Sequence, residues 1–505
     1  MYSNSQLTSF LIYPMPHQNK HKSDLSQIDW SSETGPRGFL RWTAINSAVL
    51  SLTLALSLSV LADDNFVPPE VVTILEALPV SKFQKTPQQS PIDNHEGSVY
   101  IANIEAGPSG DTDGIDLHTT IRKGVEEDTG KWSWTEHVVE NRTIADAWHT
   151  VPSVAVDKGG YIHVAYNMHN LPWQYSVSTE PEDINTFEFL GEELTTKDIS
   201  IFKNDNRTNF PSLGKAAIAG NQVTYPAFFK DNNQDLYITY RYAAKPARKF
   251  KDRAMSSAIA KYDTEAKVWE NIGVAPELTK GDYKKSWTEF FDDPIIPKAF
   301  AMQADWTSYH PRLMFGPDNE MGVSWMWREG IAGSEISRPC YLQSKDKIEF
   351  RNSSNAVVEL PAKSTDCSNI LGVSDTEKFN SIGNSAVDSK GRPHLILSPI
   401  RGSRKLVSFI NNQWLWEDSP YGATEVFFDK HDNLWALASG LSILVRRSGE
   451  KQWLKVLIAD EKRECRPRAS LNIDKSRVYI YSPSCRENTV SVKMIDLTPD
   501  LKPLE

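Results

Sequence analysis

Cysteine is scarce in this chain and sustained helical periodicity is nearly absent. Cys340, Cys367, Cys465 and Cys485 are the four cysteines among 505 residues, and none sits in a CxxC pair. Without long runs of 3.6-residue periodicity, a doubly wound α/β fold is excluded. There is no P-loop, no dinucleotide-binding glycine fingerprint after a strand, no HExxH pair and no G-x-S-x-G elbow. Basic charge is short too: 55 Lys and Arg against 65 Asp and Glu leave a formal net charge of -10. That argues against nucleic acid as a partner. An anionic ligand stays open, because a local Arg and His cluster can make a positive cleft on an acidic protein.

A hydrophobic fraction of 40% and a charged fraction of 24% fit a globular protein with a sizeable core. Residues 44–62, AINSAVLSLTLALSLSVLA, form an uncharged apolar run after Arg37 and Arg41, and end at Ala62 before Asp63-Asp64. This pattern predicts a signal peptide cleaved after Ala62, with a retained membrane anchor as the competing reading. The expected location is secreted or periplasmic, or at the cell surface. The polar stretch before the apolar run is long for a signal peptide, as a start codon assigned too far upstream or a lipid-proximal tail would explain. Residues 63–95, rich in proline and polar runs, are expected to be a linker. In an exported protein Cys465 and Cys485, flanking two strand-like runs, suit a disulfide, and Cys340 and Cys367 suit a second. Four buried thiols and a Cys/His metal site are the alternatives.

From residue 96 onward one unit recurs: an apolar strand, a polar turn with Asp or Asn, and a second strand rich in aromatic and β-branched residues. It occurs at 151–166, 223–241, 310–328, 383–398, 423–439 and 467–483. The runs 99–105 and 131–139 supply strands for one more unit. A lone hairpin is marginal, whereas a ring of small sheets buries apolar faces between neighbours. The reading is all-β, a seven-bladed β-propeller over 96–500. Excess length falls in loops at 241–300 and 340–380, and the 99–105 run closes the ring against 478–496. A parallel β-helix and stacked sandwiches are the competing folds.

Three of the 11 histidines fall between residues 149 and 169. His149 precedes the first strand of a hairpin and His169 follows the second, so both reach the same end of one unit. Asn170 adjoins His169. His163 is mid-strand, where a buried, satisfied histidine is the ordinary reading. The next unit places Tyr225 (VTYP) and Arg241 (ITYR) at matching ends; Tyr309 and Arg312 in SYHPRL, and Trp327-Arg328, repeat the pattern. Two His, a Tyr and an Arg make a set suited to β-elimination on a uronic acid. Arg pairs with the carboxylate, and His or Tyr moves the protons. Hydrolysis requires two facing carboxylates. Asp146, Asp305 and Glu329 are available, but spacing singles out no pair. The turn residues Asp157, Asp231, Asp318, Asp388, Asp429 and Asp474 have turn chemistry as their ordinary explanation.

The stretch from His149 through GYIHVAYNMH, followed by VTYP and ITYR, resembles the BNR-repeat-containing polysaccharide lyases, and most of all the ulvan lyases of families 24 and 25. The resemblance covers 96–500 and is strongest over 148–241. It implies a seven-bladed propeller that cleaves an anionic algal polysaccharide, ulvan, by β-elimination. By matching position, Arg241 would neutralise the uronate carboxylate. His149 and Tyr225 would be acid and base in an unassigned order, with His169 in support. Tyr309, Arg312 and Asn170 would bind substrate. No cofactor is needed for this chemistry. The family also admits a structural metal ion, whose ligands are unknown here. A monomer is expected. A hydrolase on the same scaffold and a noncatalytic sugar-binding propeller are the alternatives.

Overall fold

The computed structural model describes residues 66–497, except 86, 88, 108–116, 142–148, 193–216, 221–222, 246–253, 276–297, 304–305, 330–335, 368–378, 459–464 and 485. These residues are all-β, with only three- and four-residue 3-10 turns between strands. The expected leader at 1–62 lies outside them. No helix among the described residues is long and apolar enough to cross a membrane.

Among the described residues the strands form six sheets. One runs Ile92–His95, Ser98–Ala106, Leu117–Glu126, Trp132–Glu140, in chain order. Another runs Ser153–Val156, Ile162–Ala165, Tyr175–Ser178, Phe187–Phe189. A ten-stranded sheet carries two antiparallel runs, beginning with His169–Leu171 and Val223–Lys230 on one side and Trp306–Phe315 on the other. A single parallel pairing, Met255 with Thr307, joins them. The next two sheets comprise strands from Phe379–Ile382 to Gln413–Asp418 and from Ala423–Phe428 to Leu454–Leu457. In the last, Arg468–Leu471, Arg477–Pro483 and Thr489–Asp496 are completed by the N-terminal strand Val72–Pro79.

That last pairing corrects the linker and closure expectations. Val72 pairs with Met494 and Pro79 with Thr489, so part of the 63–95 segment is a sheet strand. Ile74 is buried there beside Val490 and Val492. The 99–105 run pairs instead with Ile92–His95 and Leu117–Glu126. The stretches expected as loops at 241–300 and 340–380 also hold strands, among them Ala254–Asp263, Val268–Ile272 and Phe350–Arg351. Tertiary pairing recruits these segments despite weak local patterning.

All six anticipated hairpins form. Four share one turn chemistry. Asp157 Oδ1 accepts from the N–H groups of Gly159 and Tyr161, at 2.8 and 2.9 Å. Asp231, Asp388 and Asp429 do the same two and four residues on. The second oxygen faces the side chain six residues on: His163 at 3.4 Å, Tyr237 at 3.3 Å, His394 at 3.5 Å, Trp435 at 2.8 Å. An Asx turn thus satisfies the backbone while its carboxylate pins the second strand. His163 is fully buried, its Nδ1 2.6 Å from the Tyr175 hydroxyl, as a structural histidine should be.

Between sheets the core is aromatic. Trp173, Trp325, Trp327 and Trp435 are fully buried, and one cluster joins Tyr237, Ile259, Trp325 and Leu342 of the ten-stranded sheet to Leu395 and Val407 of the next. Cys340 and Cys465 are disulfide-bonded. The expected partners, the Cys367 side chain and Cys485, lie outside the described residues.

Candidate active site

The strand Val223–Lys230 organises the site. Its Thr224 pairs with His169 on one side and Arg241 on the other, which sets those residues in one line across three strands. The next residue, Tyr225, has a φ of 60°, and the register slips between Thr224 and Ala227. His310 repeats this in Trp306–Phe315, with a φ of 48° and a slip between Tyr309 and Arg312. A bulge re-aims a side chain, and a left-handed aromatic costs roughly 1–3 kcal/mol. Both positions precede a proline, which has no N–H to leave unpaired in the bulge. The freed carbonyls are satisfied: Pro226 O accepts from the Ser153 hydroxyl at 2.6 Å, and Pro311 O from the Thr239 hydroxyl at 2.9 Å.

Around these bulges the predicted residues converge. The His149 and His169 rings stack 3.9 Å apart, 3° from parallel. Tyr225 lies 5.5 Å from His149 and 6.2 Å from Tyr309, centroid to centroid. The Arg241 guanidinium sits over both tyrosines, 5.0 Å from Tyr225 and 4.7 Å from Tyr309. Arg241 Nη2 donates to Asn170 Oδ1 at 3.2 Å; Thr224 donates to the same oxygen at 3.1 Å and accepts from the Asn170 N–H at 2.8 Å. Asn170, with a φ of 57° that asparagine tolerates, therefore aims the arginine. Gln89 Nε2 donates to the His149 carbonyl at 2.7 Å and holds that residue's backbone. Tyr225 and Arg241 are buried, while His149, His169 and Tyr309 are half-buried.

Three features were not legible as roles. Arg328 Nη1 donates to the Tyr309 hydroxyl at 3.3 Å, so Tyr309 lies between two guanidinium groups. Burial pushes its phenol up, but Arg241 and Arg328 together outweigh burial and hold it below the ordinary tyrosine value. Elsewhere in the core burial wins: Tyr166, for example, is pushed up to about 12. His310 is the true counterpart of Tyr225, and the matching Tyr225-Pro226 and His310-Pro311 pairs were its sequence signal. Its ring meets Tyr225 edge-on at 4.3 Å, and neither ring nitrogen finds a hydrogen bond. Burial, then Arg312, Arg241, Arg466 and His149, hold it well below the usual histidine value, so it stays neutral. Arg312 is buried and lines a separate cavity further along the inner strands.

Of the acids weighed for hydrolysis, Asp146 and Asp305 lie outside the described residues and Glu329 is exposed. The described group that comes nearest to a metal-ligand set is His95, Glu96 and Glu182, away from this site. The fit is poor. Lys123 Nζ already holds the Glu182 carboxylate at 2.8 Å, and Glu96 is exposed.

Residues 116–426 match the sequence model of a family described as BNR repeat-containing. The chain belongs to the BNR repeat-containing family. Its fold is similar to that of the polysaccharide lyase Uly1, with a TM-score of 0.56, 13% identity, and coverage of 85% of this chain and 100% of the other. A PL25 ulvan lyase structure gives a TM-score of 0.50, again 13% identity, with 85% and 96% covered. At that identity the likeness is one of fold. No curated protein matches this BNR-repeat chain in sequence.

Proposed function

We propose that this BNR-repeat protein is a polysaccharide lyase that cleaves a uronic acid polymer by β-elimination, with ulvan as the substrate. The observation that carries the reading is one guanidinium, Arg241, set over two tyrosines beside a stacked histidine pair. Arg241 neutralises the uronate carboxylate, and so acidifies the proton at C5 and stabilises the charge that builds as it leaves. Of His149 and Tyr225, one removes the C5 proton and the other protonates the glycosidic oxygen at C4. The C4–O bond breaks, a C4–C5 double bond forms, and no water is consumed. His169 supports His149 by stacking; Asn170 and Tyr309 contact the sugar. Ulvan is favoured by the fold shared with Uly1 and the PL25 enzyme.

The same reading makes the fold a seven-bladed β-propeller. The ten-stranded sheet counts as two blades split at the Met255–Thr307 pairing, and Val72–Pro79 closes the last blade against the C-terminal strand. Action on an external polymer fits export behind the apolar run at 44–62.

Incubation with ulvan tests the proposal. Ultraviolet absorbance from conjugated unsaturated uronyl ends should rise with chain scission. New reducing ends without that absorbance would show hydrolysis and overturn the lyase reading. Binding with neither signal would leave a sugar-binding module.

A further inference from the structure

His149 and Tyr225, the two residues assigned to move protons, are not set against each other by regular structure. His149 leads into Ser153–Val156, and Tyr225 lies in Val223–Lys230, strands of different sheets. No ladder of hydrogen bonds therefore fixes the 5.5 Å between their ring centroids. Proton transfer at two atoms of one sugar depends on that spacing.

A short piece of the N-terminal segment spans the gap. Gln89 is 1% exposed, and its Nε2 donates to the His149 carbonyl at 2.7 Å. Ser90 beside it is half-buried and bonded on both sides. On the His149 side, the Ser90 N–H donates to Ser153 Oγ at 3.1 Å, and the Ser90 carbonyl accepts from the Val154 N–H at 2.9 Å. On the Tyr225 side, Ser90 Oγ accepts from the Phe228 N–H at 2.9 Å. The buried Ser153 extends the connection, its hydroxyl donating to the Pro226 carbonyl at 2.6 Å. Pro226 and Phe228 bracket Ala227, where the register resumes after the Tyr225 bulge. The pairing of this strand with His169–Leu171 ends at Thr224, so beyond it Ser90 and Ser153 stand in for a ladder partner.

The last sheet anchors the dipeptide from behind. Arg468, 4% exposed, donates from Nε to the Gln89 carbonyl at 3.3 Å and from Nη2 to the Pro87 carbonyl. Its Nη1 pairs with Glu425 at 3.2 Å, and Glu425 accepts in turn from the Ala469 N–H at 2.9 Å. One buried ion pair thus holds the dipeptide in place between two sheets that carry the site.

We propose that Gln89 and Ser90 are positioning residues: they set the separation of His149 and Tyr225 without touching the sugar. The inference rests on the lyase reading of the site. Gln89 holds the His149 backbone, and Ser90 pins the strand just past the Tyr225 bulge. A strained bulge relaxes when the hydrogen bonds beside it are lost, and the tyrosine moves with it.

The test compares Gln89→Met, Ser90→Ala and Asn94→Ala in the full chain. Methionine keeps the length of Gln89 and removes the donor. Asn94 is the control: its amide donates to Ser470 Oγ at 2.7 Å and to the Leu471 carbonyl at 2.9 Å, tying the same N-terminal region to the last sheet without Gln89 or Ser90. On ulvan, Gln89→Met and Ser90→Ala should each lower kcat at least ~10-fold and change KM less than ~3-fold, since contacts to the ground-state sugar stay. Asn94→Ala should lower Tm and leave kcat as it is. Ser90→Ala, the smaller change, decides the matter if Gln89→Met does not fold. Unchanged kcat in the folded variants overturns the proposal, as does a rise in KM alone or an equal loss of kcat in Asn94→Ala. A wild-type chain that yields no unsaturated ends overturns the lyase reading instead. The hold on His149 is then read from its carbethoxylation by diethyl pyrocarbonate, followed by peptide mass spectrometry. Gln89→Met should speed that modification at least ~3-fold by loosening the backbone locally, and equal rates overturn the proposal.

Discussion

Replacing Arg241 by alanine removes several interactions at one stroke. The guanidinium is 5% exposed, donates to Asn170 at 3.2 Å and covers the rings of Tyr225 and Tyr309 at 5.0 and 4.7 Å. In the ground state the loss is a charge-assisted hydrogen bond and two cation–π contacts, each about 1–2 kcal/mol when desolvated. In the transition state the loss is the counter-charge to the developing dianion, about 100- to 1000-fold in kcat, or roughly 2.7–4 kcal/mol. KM should change less than kcat, since the developing charge is greatest in the transition state. Tyr309 should titrate higher, because one of the two cations that lower it is gone. The assay is the initial rate of unsaturated-product absorbance on ulvan, with Tm and circular dichroism as folding controls. Arg241→Lys should recover only part of the rate, since an ammonium lacks the planar fork. A folded Arg241→Ala enzyme with unchanged kcat would refute the assigned role.

Arg328→Gln should raise the Tyr309 titration midpoint, read by tyrosinate absorbance, while leaving the Arg241–Asn170 contact intact; an unmoved midpoint would remove Arg328 from the electrostatics of the site. The buried turn pairs predict acid sensitivity. Burial holds His163 and His394 below the usual histidine value; burial pushes Asp157 and Asp388 up, but the facing histidine, the turn N–H groups and, at Asp388, Arg392 outweigh it and hold both below the usual carboxylate value. All four are depressed, so each contributes stability above its unfolded value and loses it as pH falls toward its folded one. Tm should therefore be level near neutrality, decline as pH drops below ~6.5, and fall further below ~4; a Tm flat from pH 7 to 4 would contradict this. Deleting residues up to Pro79 strips Ile74 and the half-buried Val72, Leu75 and Leu78 from Val490 and Val492. At about 1.5–3 kcal/mol per fully buried aliphatic residue, the cost should be at least ~3 kcal/mol in denaturant unfolding; an unchanged midpoint would deny the strand any role in closure.

The sequence by itself determined the hairpins and much of the site. Each hairpin is local: alternation places the strands, and an Asp bonding two and four residues ahead sets the turn, as at Asp157 and Asp388. Because a hairpin returns to its origin, His149 with His169 and Tyr225 with Arg241 could be paired from spacing alone. What only the tertiary structure decided lies between hairpins. The partner of Val72–Pro79 is more than 400 residues away, and weak alternation together with Pro68, Pro69 and Pro79 disguises the strand as a linker. Arg312 looked like a substrate contact by repetition, but the slip between Tyr309 and Arg312 turns it into the cavity along the inner strands. The same slip puts His310, not Tyr309, in the place of Tyr225, and leaves Tyr309 between Arg241 and Arg328. A one-residue shift changes the face a side chain occupies, and no local pattern fixes which guanidinium groups then converge on it.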